Sequence, residues 1–169
     1  AYAGARLHFI GHLQTNKVRQ VVGRVDLIES VDSPRLLQAI EAQADKLRLV
    51  QDILLEVNVG GEASKSGISP EELPQLAAQA AALPHIRLRG LMAIPPAACN
   101  PGDNRKFFAQ MRHLFVDIRT TMQDNRACVD CLSMGMSGDF EDAVREGATL
   151  VRVGTALFGP RPPMSPGRP

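Results

Sequence analysis

Short apolar runs alternate with stretches of helical periodicity along nearly the whole chain. The runs at 7–10, 27–31, 53–59, 88–94, 131–134 and 150–153 have the length and side-chain character of strands. Between them, apolar residues recur with the period of a helix. Val18, Val21 and Val22 share one face, as do Leu36, Leu37, Ile40, Ala44 and Leu47, and then Leu73, Leu76, Ala77, Ala80 and Leu83. Phe107, Phe108, Met111, Leu114, Phe115, Ile118 and Met122 line a fourth helix, and Phe140, Ala143 and Val144 a short fifth. The punctuation agrees. Ser33-Pro34 reads as an N-cap with proline at the first helical position, and Ser69-Pro70-Glu71-Glu72 as a capping box. Gly147 stands where a C-terminal glycine ends a helix. About six strand–helix units in strict alternation predict a parallel sheet with helices packed outside it. An open doubly wound sheet and a closed barrel, whose usual count is eight units, both satisfy that pattern. The longest loop is expected at 97–104, and the Pro-, Gly- and Arg-rich residues 160–169 are expected to form a disordered tail after a single domain spanning 1–159.

Composition narrows the classes of function. At 169 residues the chain is long enough for one hydrophobic core, and its 44% hydrophobic content is that of a globular domain. A net charge of +1 offers no field for nucleic acid or an acidic membrane. No apolar run approaches the ~20 residues of a membrane span, and no signal peptide opens the sequence. Three cysteines, Cys99, Cys128 and Cys131, fit a reducing compartment, so a cytoplasmic location is expected. The first residue is Ala1 rather than Met, which reads as a truncated or processed N-terminus.

Two segments carry the chemistry. Val151-Arg152-Val153-Gly154-Thr155 places a glycine and a threonine directly after a strand, where amides and a hydroxyl can meet an anion. The loops after the last two strands of a barrel are a recurrent phosphate site. The preceding strand ends in Ser133-Met134-Gly135-Met136-Ser137-Gly138-Asp139, a natural nest of exposed amides. The plain alternatives are a turn glycine and a capped helix. Arg152 inside a strand is, by default, a structural arginine bridging carboxylates. Cys128 and Cys131 form a C-x-x-C pair without a second pair for zinc, and they precede a strand rather than opening a helix. His8 and His12 would not share a helix face, so no metal site is expected. Lys65 sits in a Gly-rich loop, where a solvated lysine is the common case. No catalytic constellation can be assembled from residue order.

Taken together, His8-Phe9-Ile10-Gly11, Leu13-Gln14-Thr15-Asn16-Lys17, Ser64-Lys65-Ser66-Gly67-Ile68, Arg89-Gly90-Leu91-Met92-Ala93-Ile94-Pro95 and the two C-terminal segments resemble the pyridoxal phosphate homeostasis protein family. The resemblance covers residues 7 to 159. It implies a (β/α)8 TIM barrel like the alanine racemase N-terminal domain, here incomplete at about six of eight units, with pyridoxal 5'-phosphate at its C-terminal face. It implies that Ser133, Gly154 and Thr155 hold the phosphate, with Ser137 beside them, and that Arg152 faces the pyridine nitrogen. It also implies that the family's Schiff-base lysine lies in a strand preceding His8. None of Lys17, Lys46, Lys65 and Lys106 matches that position, so the chain reads as an N-terminally truncated member without the covalent anchor.

The function expected from this resemblance is non-catalytic: holding the cofactor for vitamin B6 homeostasis, as a monomer that can associate through its open barrel edge. A racemase-like enzyme is the first alternative. Such enzymes need a second base opposite the first, and the single tyrosine here is Tyr2. A phosphate-binding remnant without B6 specificity is the other.

Overall fold

The computed structural model describes residues 4–62, 64–97, 100, 102–122 and 128–160. Six strands form one parallel sheet in sequential order: β1 (His8–Phe9), β2 (Leu27–Val31), β3 (Gln51–Glu56), β4 (Ile86–Met92), β5 (Cys131–Met136) and β6 (Leu150–Arg152). The helices between them are α1 (Val18–Val21, entered through a 3-10 turn at Thr15–Lys17), α2 (Pro34–Leu47), α3 (Leu73–Ala82), α4 (Arg105–Thr121) and α5 (Phe140–Arg145), with α6 (Thr155–Phe158) after β6. The expected tail beyond Pro160, together with Tyr2 and Cys99, lies outside the described residues.

The local signals act as their chemistry requires. Ser33 Oγ accepts the amide of Leu36 at 3.3 Å and Pro34 opens α2. The Ser69/Glu72 box forms both reciprocal bonds, Ser69 N to Glu72 Oε2 at 2.9 Å and Glu72 N to Ser69 Oγ at 3.3 Å. It closes a turn that precedes α3, which starts only at Leu73. The run expected as strand to Val59 stops at Glu56, and Val57 makes a single bridge to Ile68.

A flat sheet would hold β2 and β5 about 14 Å apart, three strand spacings. Instead Glu29 on β2 and Ser133 on β5 share a hydrogen bond of 2.6 Å. The sheet is therefore curled into most of a barrel, which decides between the two architectures. Its outer face carries the large core, where Ile28, Ile53, Leu55, Leu88 and Leu91 meet Leu36, Ile40, Leu76, Phe108 and Met111 of the helices. The inner face is layered. Asp52, Arg87 and Arg89 form an ion-pair cluster at the N-terminal end, with Arg87 Nε to Asp52 Oδ1 at 2.6 Å and Arg89 Nη1 to Asp52 Oδ2 at 2.8 Å. Leu27, Leu54 and Met92 fill the middle, with Cys131 and Leu150 against them. Glu29, Ser133 and Arg152 lie above.

A bulge keeps this layering in phase. Ile53 pairs with Leu88 but Leu54 with Gly90, so Arg89 and Gly90 together oppose one residue of β3. Gly90 has φ 150°, and a Cβ there would run into the carbonyl of Cys131. The extra residue lets Arg89 and Met92 both face inward.

Candidate functional site

The C-terminal ends of β5 and β6 set the site. Ser137 follows β5, and its Oγ accepts the amides of Gly154 at 3.1 Å and Ala156 at 3.2 Å. One hydroxyl thus ties the β5–α5 loop to the β6–α6 loop. Asp139 orders the first loop, accepting Met136 N at 2.7 Å and Asn104 Nδ2 at 2.7 Å. A cleft of about 690 Å³ opens beside this junction, and Ser137, Gly138, Arg152, Gly154 and Thr155 line it together with His8 and Glu29. A Cβ added at Gly138 or Gly154 would meet no protein atom within 4 Å. The space next to both glycines is open to a ligand.

Below the cleft runs a chain of hydrogen bonds. His8 Nδ1 lies 2.8 Å from Glu29 Oε1, and Ser133 Oγ lies 2.6 Å from Glu29 Oε2. Arg152 Nη1 donates to the same Ser133 Oγ at 2.6 Å, and Nη2 to the carbonyl of Ala93 at 2.9 Å. Glu29 is 2% exposed and Ser133 0%. Burial pulls the Arg152 guanidinium below its ordinary pKa, opposed by the fields of Glu29, Glu56 and Asp139. An arginine still keeps its proton under such a shift.

Glu56, at the end of β3, is a further buried acid within the field of Arg152. Burial pushes it up to about 7, helped by Asp32 and opposed by His12 and Arg152. At the other end of the barrel, burial raises the Cys131 thiol to about 11, with Asp130 adding to it. That makes Cys131 a poor nucleophile, so the C-x-x-C pair has no activated thiol at this position. Among the described residues no group of His, Cys, Asp and Glu is placed to hold a metal ion. No described helix is long and apolar enough to cross a membrane.

The structure brings four of the five expected residues, Ser137, Arg152, Gly154 and Thr155, onto one cleft. It places the fifth, Ser133, behind them, with its hydroxyl held between Glu29 and Arg152. The default reading of Arg152 as a bridge between carboxylates is not what forms. Among the described residues it makes no ion pair within 4 Å, and its partners are a hydroxyl and a carbonyl. Glu29 and His8 were not expected at the site. The available signal was a carboxylate at the centre of the otherwise apolar Leu27-Ile28-Glu29-Ser30-Val31.

Known proteins share this architecture. The family model for the alanine racemase N-terminal domain matches residues 1–162. A relative from Aquifex aeolicus named pyridoxal phosphate homeostasis protein is 48% identical over 154 residues, covering 91% of this chain and 66% of its own length. PipY of Synechococcus elongatus, solved with PLP bound, is 36% identical with a TM-score of 0.75, over 90% of this chain and 69% of PipY. Alanine racemase of Clostridium difficile, at 15% identity and a TM-score of 0.69, shares the fold over 96% of this chain and 42% of its own. The chain spans just under two thirds of the length of the curated relatives it matches. With its curled parallel sheet and a model match across all its strands, the chain belongs to the alanine racemase N-terminal domain family.

Proposed function

We propose that this chain holds pyridoxal 5'-phosphate by its phosphate and ring, in vitamin B6 homeostasis rather than in catalysis. The observation that carries the reading is the convergence of the β5–α5 and β6–α6 loops on one cleft that also contains Arg152. Relatives named for this role and a PLP-bound structural neighbour support it.

The residues fit the group. A phosphate needs several donors in an open cradle. Thr155 offers a hydroxyl and Ser137 a second, and Gly138 and Gly154 leave the approach clear. The cofactor supplies an aldehyde on an electron-withdrawing pyridine ring. Arg152 places a positive charge below the cleft, and such a neighbour disfavours protonation of a ring nitrogen, which weakens the ring as an electron sink. This favours storage over carbanion chemistry. Among the described residues no lysine lines the cleft, and the contacts that its lining offers are to the phosphate and the ring. In this reading, residues 1–159 act as one cytoplasmic cofactor-binding domain, a monomer able to associate through its open barrel edge, with the cofactor as its small-molecule partner.

Titration with pyridoxal 5'-phosphate, followed by absorbance, tests the reading. Thr155→Ala removes a donor. Gly154→Ala puts a methyl into the open space at a φ of −110° that alanine tolerates. Both are expected to weaken binding about tenfold or more while leaving the melting temperature nearly unchanged. Wild-type affinity in both variants would contradict the cradle. Racemisation of alanine above background would favour the enzymatic alternative.

A further inference from the structure

We infer that Glu29 is a positioning residue that, through Ser133, fixes the Arg152 guanidinium in the orientation it presents to the cleft. The inference rests on the cofactor reading for its ligand, but its geometry stands without it. A carboxylate 2% exposed is costly unless its oxygens are satisfied. Glu29 receives one hydrogen bond at each oxygen, from His8 and from Ser133. A guanidinium only donates, so Ser133 Oγ accepts from Arg152 and its single proton is directed to Glu29. The hydroxyl must then turn a lone pair toward Arg152, which donates to it through Nη1. Without the carboxylate that hydroxyl is free to rotate and to offer its proton instead, which would repel the guanidinium.

The second anchor is the Ala93 carbonyl, 2.9 Å from Nη2. With Nη1 and Nη2 both held by groups of the barrel wall, the plane of the guanidinium is fixed. A direct pair between Glu29 and Arg152 would have turned the arginine fork toward the wall. The interposed serine satisfies the charge at one remove and leaves the rest of the fork on the cleft, where Arg152 is a lining residue. Such linked bonds polarise one another, so removal of one link is felt along the chain. The consequence for the ligand is selective. A guanidinium locked in this way donates to an unprotonated ring nitrogen and disfavours a protonated one. His8 extends the device to the edge strand β1, tying its side chain to the centre of the barrel.

The test uses the full 169-residue chain. The Arg152 guanidinium signals in 15N-labelled protein, assigned by their loss in Arg152→Lys, report rotation about its Nη bonds without any ligand. Wild type is expected to show slow, resolved Nη signals, and Glu29→Gln and Ser133→Ala fast, averaged ones. With pyridoxal 5'-phosphate as the probe, Glu29→Gln should raise Kd about tenfold, and the pH dependence of Kd should shift. Inorganic phosphate, used alone as a second probe, should bind the variant within about twofold of wild type, since Ser137 and Thr155 make no hydrogen bond to Glu29, whose partners are His8 and Ser133. Glu29→Gln and Ser133→Ala combined should lose little more affinity for pyridoxal 5'-phosphate than either alone. Unchanged Arg152 signals in Glu29→Gln would overturn the inference, as would additive losses in the double variant. If Glu29→Gln fails to fold, Ser133→Ala carries the same readouts. If the wild-type chain binds neither probe, the proposed function fails, and the Arg152 signals alone still decide whether Glu29 positions it.

Discussion

Glu56 shows how burial can change the chemistry of a single side chain. It is 6% exposed, and its carboxyl is pushed up to about 7 by burial and by Asp32, against the opposing fields of His12 and Arg152. Between its ordinary value of 4.5 and about 7, the folded chain keeps a proton that the unfolded chain has released. Stability attributable to Glu56 is therefore full below the ordinary value and falls as pH rises through that window. The loss is of order 2 kcal/mol once residual solvent screening is allowed for. Glu56→Gln, which cannot ionise, should be more stable than wild type at pH 8 and about equal to it at pH 4. Urea denaturation at the two pH values measures this, and parallel changes in both proteins would contradict it. Glu56 was legible in the sequence only as one more strand residue. Its neighbours come from the loops after β1 and β2 and from β6, and no local pattern announces them. Glu29 was hidden for the same reason: its partner Ser133 lies 104 residues away. The Ser33 cap was legible because its partner Leu36 is three residues on.

At the scale of elements, the strand–helix alternation is plain in the sequence, but the boundaries move where tertiary pairing decides them. The run expected as strand from 88 to 94 is β4 at Ile86–Met92, because its first residues pair with Gln51 and Asp52. The bulge at Arg89 and Gly90 had no sequence signature beyond a glycine in a strand, which is a weak one. It has a large effect, since a slip of one residue there would turn Arg89 or Met92 to the wrong face. Gly90→Ala combines a φ of 150° with a collision against the Cys131 carbonyl, a backbone atom that cannot move aside cheaply. We expect a loss of at least about 3 kcal/mol, read as a lower denaturant midpoint with an unchanged slope. The Arg89 pairing should fail with it, since Asp130 is held well below the usual carboxylate range chiefly by its bonds to Arg89. A variant within about 0.5 kcal/mol of wild type would show that the bulge can be accommodated elsewhere.

For the molecule as a whole, the outermost strands decide its behaviour. Among the described residues β1 pairs only with β2 and β6 only with β5, so within them the curled sheet has two unpaired edges. Leu7, Ile10 and Val151 on these edges are exposed, and Leu157 and Phe158 of α6 are exposed at 71% and 87%. Free parallel edges beside apolar side chains are costly in water and prone to pair with other chains. A second cleft, lined by Asp52, Arg87 and Arg89, shares with the first His8 and Leu150, one residue from each edge strand. PipY extends beyond the matched region by about three tenths of its own length. We therefore expect the isolated 169-residue chain to melt below PipY by roughly 5 °C or more, at matched pH and salt. Its amides should exchange in a set order, β1 and β6 first and β3 and β4 last, since the central strands are paired on both sides. Sedimentation should show association that grows with concentration. Equal melting temperatures, or β1 amides as protected as those of β3, would mean that the edges are closed in solution by contacts the curled sheet does not contain. The cleft would then have a different rim from the one formed by His8 and Arg152.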